Sequence, residues 1–124
     1  MVEIEVANRS GAQLDLKSAA LLIREVLGAE GIGDGELGLQ LVGREEIRAL
    51  KREHLGADEE TDALAFPIDG LETIPAGVPR QLGDVVVCPE VVGDAWRGPL
   101  VHAVLHLVGY DHGAKMEARE RAHV

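Results

Sequence analysis

Three of the five histidines lie within eleven residues near the end of the chain, at His102, His106 and His112. Residues four apart share a helix face, so His102 and His106 can aim their rings at one point. Gly109 stands where such a helix would end, because glycine readily takes the left-handed conformation that closes helices. The chain can then turn and bring His112 back toward the same point. Three imidazoles from a helix and the turn after it make an open zinc site, with three protein ligands and a fourth position for water. One zinc per chain is expected, although nickel and copper also accept imidazole. Zinc lowers the pKa of a bound water from 15.7 to about 7 and polarises carbonyl or phosphoryl oxygens, and both effects point to hydrolysis. The competing account is a hydrogen-bonded histidine pair in the core and an unrelated, exposed His112.

The surroundings of the histidines sharpen the chemistry. Leu100, Val101, Val104, Leu105, Leu107 and Val108 predict a helix buried on most sides. Several unpaired histidines there would be costly, and a metal accounts for them. Metal-bound histidines need acceptors for their outer ring nitrogens, and Asp111, Asp84 and Asp62 are candidates by type. Asp111 equally suits the cap of the helix that follows. Beyond a metal-bound water the catalytic groups are open, with Asp111 and Asp62 as candidates. The histidine spacing also matches one class of zinc peptidases, which need a glutamate directly after the first histidine as general base. Here that position is Ala103, so peptide hydrolysis lacks its proton carrier.

The elements that must position these residues can be read in order. Val2, Ile4 and Val6 alternate with Glu3 and Glu5 in a half-buried first strand. Residues 15–27 form an apolar stripe of helical period. The glycine-rich segment 31–35 is a flexible connection, since no Gly-Lys-Ser/Thr follows it. A second alternating strand covers 36–42, and a helix covers 44–55. Arg44, Arg48, Lys51 and Arg52 make that helix the most basic stretch. Such a run reads either as a solvated face or as an RNA contact, for which Arg48 and Arg52 are the candidates. Residues 61–67 are a short strand ended by proline, and 68–81 are a loop. The valines of 82–88 predict a strand buried on both faces. Gly93, Gly98 and Pro99 interrupt any helix over 89–98. The histidine helix covers 99–108 and a charged helix 114–123. The order β-α-β-α-β-β-α-α predicts an α+β domain, a small mixed four-stranded sheet packed with helices, with the histidine helix central.

The chain has 124 residues, enough for one domain spanning 1–124. Its hydrophobic fraction is 46% and its aromatic fraction only 2%, so the core is aliphatic. The single cysteine, Cys88, excludes an internal disulfide framework and fits a reducing compartment. No apolar run is long enough to span a membrane and no signal-peptide pattern opens the chain, so a cytoplasmic protein without membrane association is expected. The net charge of −10 argues against nonspecific nucleic-acid binding, which relies on neutralising phosphates, and leaves room for a local basic patch.

The run His102-Ala-Val-Leu-His106-Leu-Val-Gly109-Tyr110-Asp111-His112 resembles the signature of the YbeY family, His-Gly-x-Leu-His-Leu-x-Gly-Tyr-Asp-His. Thr61-Asp62-Ala63-Leu64-Ala65-Phe66-Pro67 resembles that family's Thr-Asp-Val-Leu-Ser-Phe-Pro segment, and Leu82-Gly83-Asp84-Val85-Val86-Val87 its Leu-Gly-Asp-Ile-x-Ile strand. The segments come in the family's order, from about residue 36 onward. The resemblance implies a zinc-dependent endoribonuclease of ribosomal RNA processing, including 16S 3′-end maturation, and of ribosome quality control. It implies ribosomal RNA or the small ribosomal subunit as partner, with ribosome-associated protein factors. Ala103 replaces the family's usual glycine, Leu55 falls where many members carry arginine, and 89–98 is shorter than the usual helical connection. A second reading is a ribosome-assembly binding factor with a structural zinc and little or no nuclease activity. Leu55, Ala103 and the acidic balance favour it. The open three-ligand site favours the hydrolase, because structural zinc sites usually have four protein ligands.

Overall fold

The computed structural model describes residues 1–59, 61–69, 72–110 and 113–123. Strand β1 (Val2–Asn8) is followed by helix α1 (Leu16–Ala29), strand β2 (Gly35–Leu41), helix α2 (Arg44–Leu55), and strands β3 (Ala63–Pro67) and β4 (Gln81–Val87). Helix α3 (Pro89–Val92), a single 3₁₀ turn (Gly93–Ala95), α4 (Arg97–Leu107) and α5 (Ala114–His123) complete the chain. The strands form one sheet in the order β1-β2-β4-β3, with β1-β2 and β2-β4 parallel and β3-β4 antiparallel. This is the expected α+β architecture with a mixed four-stranded sheet.

The sheet separates two sets of apolar side chains. Leu37, Leu39, Val85 and Val87 face a large core shared with Ile23, Val26 and Leu27 of α1 and with Val101, Val104 and Leu105 of α4. On the opposite face Leu64, Val86 and Cys88 meet Val42 and Ile47, so α2 covers that side. Strand β4 therefore has apolar neighbours on both faces, as its valine run implies. Asp15 caps α1, its carboxylate accepting from the Ser18 backbone N–H at 3.1 Å and from the Ser18 hydroxyl at 2.7 Å.

Two backbone features set α4 against the sheet. Gly83 has φ +132°, and a Cβ there would stand 2.2 Å from the Phe66 carbonyl oxygen, 2.9 Å from Pro67 Cα and 3.0 Å from Leu107 Cδ2. Only a glycine lets β3, β4 and the end of α4 approach this closely. The second feature is the start of α4, two residues earlier than the expected 99. Pro99 lies in its first turn, where a missing N–H breaks no helical hydrogen bond. Segment 89–98 is likewise more ordered than its glycines suggest, holding α3 and the 3₁₀ turn. Pro89 starts α3 at its first position and Gly93 ends it at φ +53°. Among the described residues, no helix is long and apolar enough to cross a membrane.

Candidate metal centre

Helix α4 is buried on most sides, with Leu100, Val101, Ala103, Val104, Leu105 and Leu107 all enclosed. His102 and His106 occupy its remaining face and are half-buried. The helix ends in a Schellman arrangement. Gly109, at φ +99°, donates its N–H to the His106 carbonyl at 3.1 Å, and Tyr110 donates to the Leu105 carbonyl at 3.1 Å. That turn folds the chain back over the histidine face and delivers the Tyr110 carbonyl to within 2.8 Å of His106 Nδ1. A carbonyl only accepts, so Nδ1 of His106 carries the proton and donates. On the other ring, His102 Nδ1 donates to the Glu120 carboxylate on α5.

Both rings thus hold a proton on Nδ1 and turn Nε2 inward, and the two Nε2 atoms stand 3.1 Å apart. Two nitrogens bound tetrahedrally to one zinc at 2.0–2.1 Å would stand about 3.3 Å apart. The donor set, the tautomers and the separation all fit a metal held between the rings. Outer-nitrogen acceptors of this kind are the usual support of metal-binding histidines. His112 and Asp111, expected as third ligand and as candidate acceptor or catalytic group, lie outside the described residues. Among the described residues no group of three His, Cys, Asp or Glu comes together.

The histidines open onto a cleft of about 680 Å³, walled by Lys51 and Leu55 of α2, by 61–65 and Pro67, and by Gly109 and Tyr110. Asp62 lies on this wall, its Oδ1 accepting from the Ala63 N–H at 2.7 Å. Asp84 does not line it. That side chain covers Gly38, where a Cβ would stand 2.1 Å from Oδ1, in a separate depression with Glu3, Glu5 and Glu36. The aspartate in the Leu-Gly-Asp segment therefore sits apart from the cleft that holds the histidines. Arg48 donates to Asp58 at 2.8 Å and Arg52 lies 3.7 Å from the same carboxylate, and neither lines the cleft. Their partner Asp58 is held below the usual carboxylate range, mainly by its hydrogen bond from Arg48. Lys51 is the cleft's cation among the described residues, and its ammonium also meets Glu59 at 2.7 Å.

Sequence reasoning missed the Tyr110 carbonyl and Glu120, the two groups that orient the rings. The first has no side-chain signature. The second had a faint one, since Glu120 lies one turn beyond Met116, the only large apolar side chain of α5 and hence the mark of its inward face. Beside this layer, Arg119 Nε donates to Glu30 Oε1 at 2.9 Å. The Tyr110 hydroxyl faces the same pair, and its pKa is raised above the ordinary tyrosine value, first by burial and then by the Glu30 carboxylate.

Comparison with known proteins gives one answer. Residues 5–123 match the family model described as Endoribonuclease YbeY. The chain is 35% identical over 139 residues to the endoribonuclease YbeY of Salinispora tropica, covering 96% of this chain and 88% of that protein. It is 37% identical over 140 residues to the one from Halorhodospira halophila, covering 98% and 90%. A solution structure of TM1509 from Thermotoga maritima superposes with a TM-score of 0.60 at 26% identity, covering 99% of this chain and 86% of that one. With the family model spanning nearly its whole length, and relatives of this similarity aligned over most of theirs, the chain belongs to the YbeY endoribonuclease family.

Proposed function

We propose that this protein is a zinc-dependent endoribonuclease that hydrolyses phosphodiesters of ribosomal RNA in the cytoplasm, in 16S 3′-end maturation and ribosome quality control. The observation that carries the metal reading is the convergence of His102 and His106 through Nε2 at 3.1 Å, with each Nδ1 turned to an acceptor. The same separation serves a hydrogen bond only when one ring holds a second proton on Nε2 and is an imidazolium. His112 is proposed as the third ligand from its spacing. When bound, zinc supplies a water acidic enough to furnish hydroxide at neutral pH and an electrophile for the phosphoryl oxygen.

The chain's own residues do the rest. His102 and His106 fix the position of the reacting centre at the floor of the cleft. Lys51, on the wall, balances phosphate charge, and Asp62 is the described carboxylate close enough to the cleft to accept a proton. Leu55 and Pro67 supply apolar wall against which a base can lie. With a net charge of −10, attraction for RNA is local to this cleft.

The test is metal content and cleavage of ribosomal RNA fragments by the wild type and by His106→Ala. The wild type should carry about one zinc and cut, and the variant should lose metal and at least about a hundredfold in rate, the scale expected when a metal ligand and its water are removed. Equal cutting by His106→Ala sinks the zinc-hydrolase reading. A wild type that co-purifies with small ribosomal subunits and never cuts establishes the assembly-factor reading instead.

A further inference from the structure

Helix α5 is polar almost throughout and buries one residue, Met116, at 1% exposure. Two consecutive side chains on it reach different parts of the molecule. Arg119 donates to Glu30, the C-cap residue of α1, whose side chain is only 9% exposed. Glu120, the next residue, accepts from His102 Nδ1. A helix with so little apolar face takes its place from such contacts, because its own propensity cannot hold ten residues in water.

We propose that Glu120 is a positioning residue of the metal centre, and that the Arg119–Glu30 pair pins the helix carrying it to α1. The carboxylate fixes the ring orientation of His102, holds its proton on Nδ1 and makes Nε2 a stronger donor to a metal. Ligand strength at the centre then depends on a contact 89 residues apart in the chain, between α1 and α5. Because α5 must be docked to present Glu120, metal binding and the docking of α5 are linked, and each stabilises the other. This inference rests on the metal reading above.

The experiment uses the full chain and zinc as the probe. Zinc affinity is measured by competition with a chromophoric chelator, ligand geometry by the visible spectrum of the cobalt-substituted protein, and docking of α5 by amide hydrogen exchange with and without zinc. Glu120→Ala should weaken zinc binding roughly 10- to 100-fold and alter the cobalt spectrum. Glu120→Gln, whose amide oxygen still accepts, should lose less. Arg119→Met should lose less again while speeding exchange in α5, and zinc should slow that exchange in the wild type. Glu117→Ala, exposed on the same helix, should match the wild type. Wild-type zinc affinity in Glu120→Ala overturns the proposal. If that variant does not fold, wild-type affinity in both Glu120→Gln and Arg119→Met overturns it equally. Zinc binding that His106→Ala leaves untouched overturns the metal reading and this one together.

Discussion

At the scale of single residues, the cleft is shaped by one cation and one apolar side chain on neighbouring turns of α2. Lys51 contributes charge and Leu55, 61% exposed, contributes none. Arg48 and Arg52, the cations that the basic stretch first suggests, are committed to Asp58. Phosphate contacts of a single strand each add about 0.7 to the slope of log affinity against log salt. Leu55→Arg is therefore expected to tighten single-stranded RNA binding several-fold at low salt and to steepen the slope by about 0.7, as read by fluorescence anisotropy across a salt series. Lys51→Ala should flatten it by a similar amount. An unchanged slope in both variants would mean that the strand takes another route past the histidines.

At the scale of elements, the position of α4 depends on a close approach that a side chain would prevent. At Gly83 a Cβ would overlap the Phe66 carbonyl and press on Leu107, and φ is +132°. Gly83→Ala is expected to cost about 3 kcal/mol or more, the scale of a strained backbone plus overpacking. Gly28 is the contrast. It is exposed inside α1, and a methyl group added there would meet nothing within 4 Å. Gly28→Ala should therefore stabilise by about 0.5–1 kcal/mol through helix propensity alone. Urea denaturation of the two variants checks both signs. A Gly83→Ala protein as stable as the wild type would show that β3 and α4 can separate without loss.

At the scale of the whole molecule, surface charge and pH act together. Asp15, Asp58 and Glu59 titrate below their ordinary values of 3.8, 3.8 and 4.5, chiefly through hydrogen bonds from Ser18, Arg48 and Lys51 respectively. In the unfolded chain these groups take up protons at higher pH than in the folded one. Between those values the unfolded state binds more protons, so stability rises with pH across the window and falls on acidification. All three are solvent-exposed and screened by salt, so the effect should shrink as salt is added. The net charge of −10 works the other way, since protonation relieves self-repulsion. With zinc removed, so that loss of metal from protonated imidazoles does not enter, the urea midpoint is expected to hold steady from about pH 7 to about 5 and to fall below about 4.5. A midpoint that climbs on acidification would show that relief of repulsion outweighs the ion pairs.

The sequence by itself determined the longer elements and the placing of His102 and His106 on one helix face, because both are local in the chain. Apolar alternation and helical stripes recur every two to four residues. The His102–His106 spacing fixes a shared helix face, and Gly109 fixes the turn after it, whatever the helix packs against. Edges were displaced where a cap or a proline shifts a boundary without changing the period, as at Asp15 and Pro99. Tertiary structure decided what lies around the rings. It put Asp84 over Gly38, away from the cleft, turned Arg48 and Arg52 to Asp58, and brought Glu120 to His102 and Glu30 to Arg119 across 89 residues of chain. Which carboxylate meets which cation or imidazole depends on how helices cross a sheet, and the residue period carries no record of that. The two imidazoles belong to a pattern along one helix, whereas the groups that meet them belong to the packing of helices around it.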